Sequence, residues 1–118
     1  MPEPVESHCR AFQLAVDVLA RPWNGLLLNV LQAGPLRFSE LRKRAQGPGD
    51  KVLAARLKEL EARGLVLRTV DPGPPVRVAY ALTATGLEFG HLAEAIERWG
   101  KALIAQESRP RPRKAAAR

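Results

Sequence analysis

Apolar positions recur along this chain with two different periods, and the architecture changes where the period does. Phe12, Ala15, Val16 and Leu19 form one stripe at helical spacing. They predict a first helix from Ser7 to Leu19, with Ser7 as its N-cap. The segment ARPWN breaks the stripe, because Pro22 starts a helix more readily than it continues one. Trp23 to Leu31 is apolar nearly all round, the pattern of the most buried helix in a domain, and Gly34-Pro35 ends it. Leu36-Arg37-Phe38 is too short to read as a strand. Ser39 then caps a third helix to about Ala45, with Leu41 and Ala45 facing inward. The break QGPG follows, and a fourth helix runs from about Asp50 to Arg63, stopped by Gly64 in the C′ position.

After Gly64 the helical period is lost. LVLRTV and VRVAYAL are rich in β-branched and aromatic residues, and DPGPP separates them. They predict an antiparallel hairpin with Val76, Val78, Tyr80 and Leu82 on one face, its Pro-rich turn projecting because proline cannot donate into a ladder. Thr83 caps a last long helix that carries Leu87, Leu92, Ile96, Trp99 and Leu103 as its apolar stripe. From Gln106 onward, QESRPRPRKAAAR has no apolar periodicity. The reading is therefore one mainly α domain over residues 1–105, with a small β-hairpin, and a basic disordered tail over 106–118.

Charge sharpens this picture. The net +7 of the 118 residues is unevenly placed: 1–36 carry −1, 37–77 carry +5, 78–105 carry −1 and the tail +4. Clustered cations repel one another unless a polyanion neutralises them, so a nucleic acid stands beside the plainer reading of a basic solvated face. A tight helix–turn–helix followed at once by a hairpin is the layout of a winged helix-turn-helix, whose second helix enters a major groove with the hairpin flanking it. On a wheel of about 100° per residue, Leu53, Leu57 and Leu60 face the core. Lys51, Ala54, Ala55 and Lys58 face outward: a cationic, slim surface suited to a groove. Arg56 lies on the border, where a phosphate or an acidic neighbour can hold it. Ser39, Arg42, Lys43 and Arg44 on the preceding helix, and Arg68 and Arg77 on the hairpin, are within reach of DNA phosphates.

These residues carry a family resemblance. Cys9, the Trp23 that opens an apolar helix, GPLRFSELRKR, KVLAARLKELEARGLVLRTV and PPVRVAYALTATG follow one another over residues 9–86. The chain resembles the HxlR-type winged-helix transcriptional regulators, a branch close to the MarR-like group. The resemblance implies a homodimer on a palindromic operator, with the first and last helices, and so Phe12, Trp99 and Leu103, forming the dimer interface. Three features depart from the family pattern: Gly49 stands where a serine usually opens the fourth helix, no small polar residue stands around Ala54 or Ala55, and ARPWN replaces a glycine-plus-lysine lead into the tryptophan. With fewer groups to bond base edges, specificity would rest on Lys51, Lys58, the wing and DNA shape.

The resemblance also makes Cys9 a candidate redox sensor, its thiol set beside Arg10 near a helix start; the plainer reading is a small apolar residue at a subunit contact. A single cysteine leaves no intramolecular disulfide and fits a reducing, cytoplasmic setting. The N-terminus does not read as a signal peptide, and no apolar run is long enough to span a membrane. His8 and His91 stand apart from any cysteine or carboxylate cluster, so no metal or other cofactor is expected. Ser7-His8-Cys9 are adjacent on one helix and point apart, so no nucleophile–base pair forms and no enzyme is expected. Trp23 and Trp99 read as core or interface residues. Two readings remain: a DNA-binding transcription regulator, responsive to a small molecule or an oxidant, and a winged-helix protein-interaction module without specific DNA reading.

Overall fold

Three leucines of one short helix and the 3₁₀ turn that follows it organise the interior. The computed structural model of the chain describes residues 5–109, with side chains from Cys9 onward. Leu27, Leu28 and Leu31 are buried against Leu41 and Ala45, against Leu53, Leu57 and Leu60, and against Val66. Each leucine so removed from water contributes about 1.5–3 kcal/mol. The elements that deliver these side chains are α1 (Val5–Ala20), α2 (Asn24–Val30) with a 3₁₀ turn over Leu31–Ala33, β1 (Leu36–Arg37), α3 (Phe38–Ala45), α4 (Asp50–Ala62), β2 (Val66–Asp71), β3 (Arg77–Leu82) and α5 (Ala84–Glu107). β1, β3 and β2 form an antiparallel sheet in that order.

Several expectations are corrected at element ends. α1 begins at Val5, so Ser7 lies inside the helix and does not cap it. Ser39 is not the cap of α3 either: Arg37 holds that position with extended backbone, and Glu40 Oε1 accepts from its N–H at 2.8 Å, half of a capping box. The Leu36-Arg37 dipeptide is a strand after all, because Leu36 pairs with Tyr80 and Arg37 with Ala79. A partner on β3, invisible to local pattern, makes so short a strand stable. Val76 precedes β3 and is exposed, so only Val78, Tyr80 and Leu82 of the expected face lie on the strand. α5 continues to Glu107, two residues into the expected tail, while 110–118 lie outside the described residues.

Trp23 does not open α2 but caps it, with φ 74°. A bulky side chain in the left-handed region is strained, and two contacts hold it there. The indole lies against Gly47 so closely that a Cβ at that glycine would overlap the ring. Arg56 Nε, reaching over from α4, donates to the Pro22 carbonyl at 3.0 Å. Gly49 caps α4 without a side chain.

Hydrogen bonds fasten the join between the sheet and α5. Thr83 donates its backbone N–H to the Leu65 carbonyl at 3.0 Å and its hydroxyl to the Gly64 carbonyl at 2.6 Å, and accepts from Gly86 N–H at 3.1 Å. Gln32 Nε2 then donates to the Gly86 carbonyl at 3.2 Å and to Leu28 at 3.3 Å. The start of α5 is thereby bound at once to the turn between α4 and β2 and to the 3₁₀ turn that follows α2.

Candidate nucleic-acid interface

α4 buries Leu53, Leu57 and Leu60 and leaves Lys51, Ala54, Ala55 and Lys58 exposed on the other side. The wing meets this exposed face. Arg68 stands opposite Tyr80 in the β2–β3 ladder, so both project from one face of the sheet. They join Ala54, Lys58 and Glu61 around a recess of about 300 Å³. The sequence-derived residues Ala54, Lys58 and Arg68 are thus brought together. Tyr80 and Glu61 complete the recess and were missed: Tyr80 read only as part of one face of the hairpin, and Glu61 carries the wrong charge for a phosphate.

Other candidates fall elsewhere. Lys43 and Arg44 are exposed on α3, and the exposed Ser39 lies in its first turn. Arg42 Nη1 holds both carboxylate oxygens of Asp50 at 3.0 Å, fastening the end of α3 to the start of α4 across the turn. Arg56 is drawn inward: its side chain is 16% exposed, 3.4 Å from Glu59, and engaged with Pro22, so the acidic neighbour rather than the outer face holds it. Arg77 stands opposite Asp71 in the ladder. Asp71 lies three positions after Arg68, and side chains alternate along a strand, so Arg77 projects from the opposite face of the sheet to Arg68. Arg37, opposite Ala79, shares the Arg77 face. Alternation within each strand was readable; the register across strands was not.

An ionic group behind α4 braces this surface. Arg21, at the end of α1, pairs with Glu59, which also receives Arg56. The Glu59 carboxyl is held below its ordinary value of 4.5, chiefly by the hydrogen bond from Arg21 against an opposing effect of burial, with the charges of Arg21, Arg56 and Arg63 adding to it. The folded chain therefore binds this proton less readily than the unfolded chain. The contribution to stability is in place above about pH 4.5 and is lost as pH falls through the lower folded-state value. Glu59→Gln is expected to flatten the acid limb of a stability–pH curve measured by urea unfolding from about pH 7 to about pH 3.

Leu19 of the α1 stripe packs against the core, but most of the apolar positions on α1 and α5 stay exposed in the monomer. Phe12 is 70% exposed, Trp99 67% and Leu103 42%, with Leu14, Val16, Leu87, Leu92, Ile96 and Ile104 also exposed. Cys9 lies on α1, reduced and exposed. Among the described residues no cluster of three or more His, Cys, Asp or Glu side chains is placed to hold a metal, and no helix is long and apolar enough to cross a membrane.

A three-helix core, a helix exposed beyond a short turn and a β-hairpin beside it define a winged helix-turn-helix protein of the transcription-regulator class. The model of the HxlR-like helix-turn-helix family matches residues 18–108, and the chain belongs to that family. It is 40% identical over 91 residues to the HTH-type transcriptional regulator YvaP of Bacillus subtilis, covering 77% of this chain and 84% of that one. It is 38% identical over 91 residues to YodB of the same organism, covering 77% and 81%. The solved structure of reduced YodB superposes with a TM-score of 0.71 over 84% of this chain and 91% of the other, at 36% identity. YodB has also been solved diamide-treated and quinone-bound. The redox regulator HypR in its oxidized form superposes with a TM-score of 0.71 at 30% identity, over 78% and 95%.

Proposed function

We propose that this chain is a cytoplasmic, homodimeric regulator that reads double-stranded DNA, with α4 in the major groove of each half of a palindromic operator. The supporting observation is the exposed surface shared by α4 and the wing: Lys51, Ala54, Ala55 and Lys58 outward on the helix, with Arg68 meeting them from β2. Lys43 and Arg44 extend the charge along α3, Ser39 and Arg42 sit at its two ends, and Arg77 faces a flanking phosphate from the far side of the wing. Arg56 serves the fold of this surface and is left out of the contact set. Residues 1–105 act as the DNA-binding unit and the basic tail adds sequence-independent attraction. The exposed faces of α1 and α5, including Phe12, Trp99 and Leu103, cover one another between two copies and set the spacing of the two recognition helices. Cys9 is the oxidant-responsive group, a reading supported by the redox-named relatives.

Sedimentation of the purified protein should give a dimer. Its complex with duplexes selected from a random pool should weaken roughly a thousandfold between about 50 and 200 mM salt, as expected for about six phosphate contacts. Repeating the selection with diamide should reduce recovery for the wild type and not for Cys9→Ser. A monomer, or the absence of any salt-sensitive complex, would overturn the reading. The latter would favour a protein-interaction module, for which the uncharged Ala54-Ala55 pair at the centre of the helix face speaks.

A further inference from the structure

Asp50 sets a negative charge at the tip of the helix that the proposed function sends into a polyanion's groove. It is the first residue of α4, at the end from which a recognition helix meets base edges, and its side chain is 60% exposed. The helix dipole favours a carboxylate there, yet the same charge repels the phosphates that border the groove. Its partner is Arg42, in the last turn of α3. Arg42 Nη1 donates to both Asp50 oxygens at 3.0 Å. Among the described residues Lys43, Arg44, Lys51, Lys58 and Arg68 form no ion pair. Of these outward cations, then, Arg42 alone is held in place from a second helix.

The pair occupies one corner of the guanidinium. Among the described residues nothing accepts from Arg42 Nε or Nη2, and their parallel N–H groups form an intact fork. Because Nη1 is tied across the turn, the fork is aimed before any duplex arrives, and less side-chain freedom is lost on binding. A phosphate gripped by this fork would lie beside the Asp50 carboxylate and be repelled. A base edge carries no net charge, and guanine presents N7 and O6 as two adjacent acceptors in the major groove. The outward face of α4 has no comparable fork: Ala54 and Ala55 carry no donor, and Lys51 and Lys58 are point charges.

We propose that Arg42 reads one guanine in each half of the operator through Nε and Nη2, with Asp50 as the residue that positions it. The proposal rests on the reading of α4 as the helix in the groove, and adds to it a base contact supplied by the preceding helix.

The test is selection from a random duplex pool at about 150 mM salt by the wild type, Arg42→Lys and Asp50→Ala, followed by gel shifts on the wild-type consensus and on copies with single bases replaced. Replacing one guanine per half-site should weaken the wild type at least about tenfold, and each variant by no more than about twofold. Arg42→Lys keeps the charge and loses the fork, so its binding to random duplex and its salt dependence should match the wild type. Asp50→Ala removes a negative charge and should bind random duplex at least as tightly as the wild type. An exposed ion pair adds little to stability, so far-UV circular dichroism should superpose for all three; should Asp50→Ala fail to fold, Arg42→Lys still decides. Guanine preference kept in either folded variant overturns the proposal and leaves the DNA reading standing, as does a wild-type consensus without such a guanine. In particular, Asp50→Ala tightening every sequence alike would mean that the carboxylate only masks a phosphate contact. A wild type with no salt-sensitive complex overturns both.

Discussion

Lys51→Glu combined with Lys58→Glu should abolish duplex binding while leaving the fold intact. Both ammonium groups stand on the exposed side of α4, opposite the buried Leu53, Leu57 and Leu60. Neither forms an ion pair among the described residues, so reversal breaks no internal contact. Position 51 lies in the first turn of α4, where a carboxylate is favoured by the helix dipole. A glutamate at 58 would sit one turn before Glu61, a like-charge pair costing a few tenths of a kcal/mol. Against these small terms, the double variant removes two phosphate contacts and adds two repulsions in a groove lined by anions. A loss of at least about a hundredfold at roughly 150 mM salt follows. Gel shifts on a selected duplex measure it, with far-UV circular dichroism as the check on folding. Binding retained at that salt would mean that another surface holds the DNA.

Gly86→Ala is expected to destabilise the fold strongly. Alanine in place of a helical glycine normally gains about 1 kcal/mol, so the sign is not obvious. Here the new Cβ would run into the carbonyl oxygen of Leu65 and approach Leu82 Cδ2 at 3.0 Å. The first obstacle is backbone, held by Thr83 on one side and by the start of β2 on the other, so no rotamer change relieves it. Overpacking of this kind costs about 3 kcal/mol, leaving a net loss of roughly 2 kcal/mol and a melting temperature lower by about 8–16 °C. Gly25→Ala is the matched control: its Cβ would meet only Leu19 Cδ2 at an ordinary 3.9 Å, and it should hold or raise the melting temperature.

Much of this molecule was legible in its pattern of side chains. The wheel of α4 separated Leu53, Leu57 and Leu60 from Lys51, Ala54, Ala55 and Lys58 because a single helical face decides burial there. Gly64 and Thr83 marked element ends through local chemistry. What escaped was set by partners distant in sequence. β1 exists because Tyr80 and Ala79 lie beside it. Arg68 and Arg77 look equivalent along the chain, but an odd offset in the ladder sends them to opposite sides of the wing. Arg56 sits on the wheel's border, and only the proximity of Pro22 and Glu59 decides which way it turns.

The clamp on the first turn of α5 makes that helix a lever. Its far end, beyond Trp99, lies roughly 30 Å from the pivot at Gly86, at about 1.5 Å per residue. A tilt of about 5° at the pivot would carry the tip nearly 3 Å, close to the rise of one base pair. In the proposed homodimer, bending at Gly86 would therefore be enough to put the two copies out of step with a double helix, with every residue of the proposed DNA surface left unchanged.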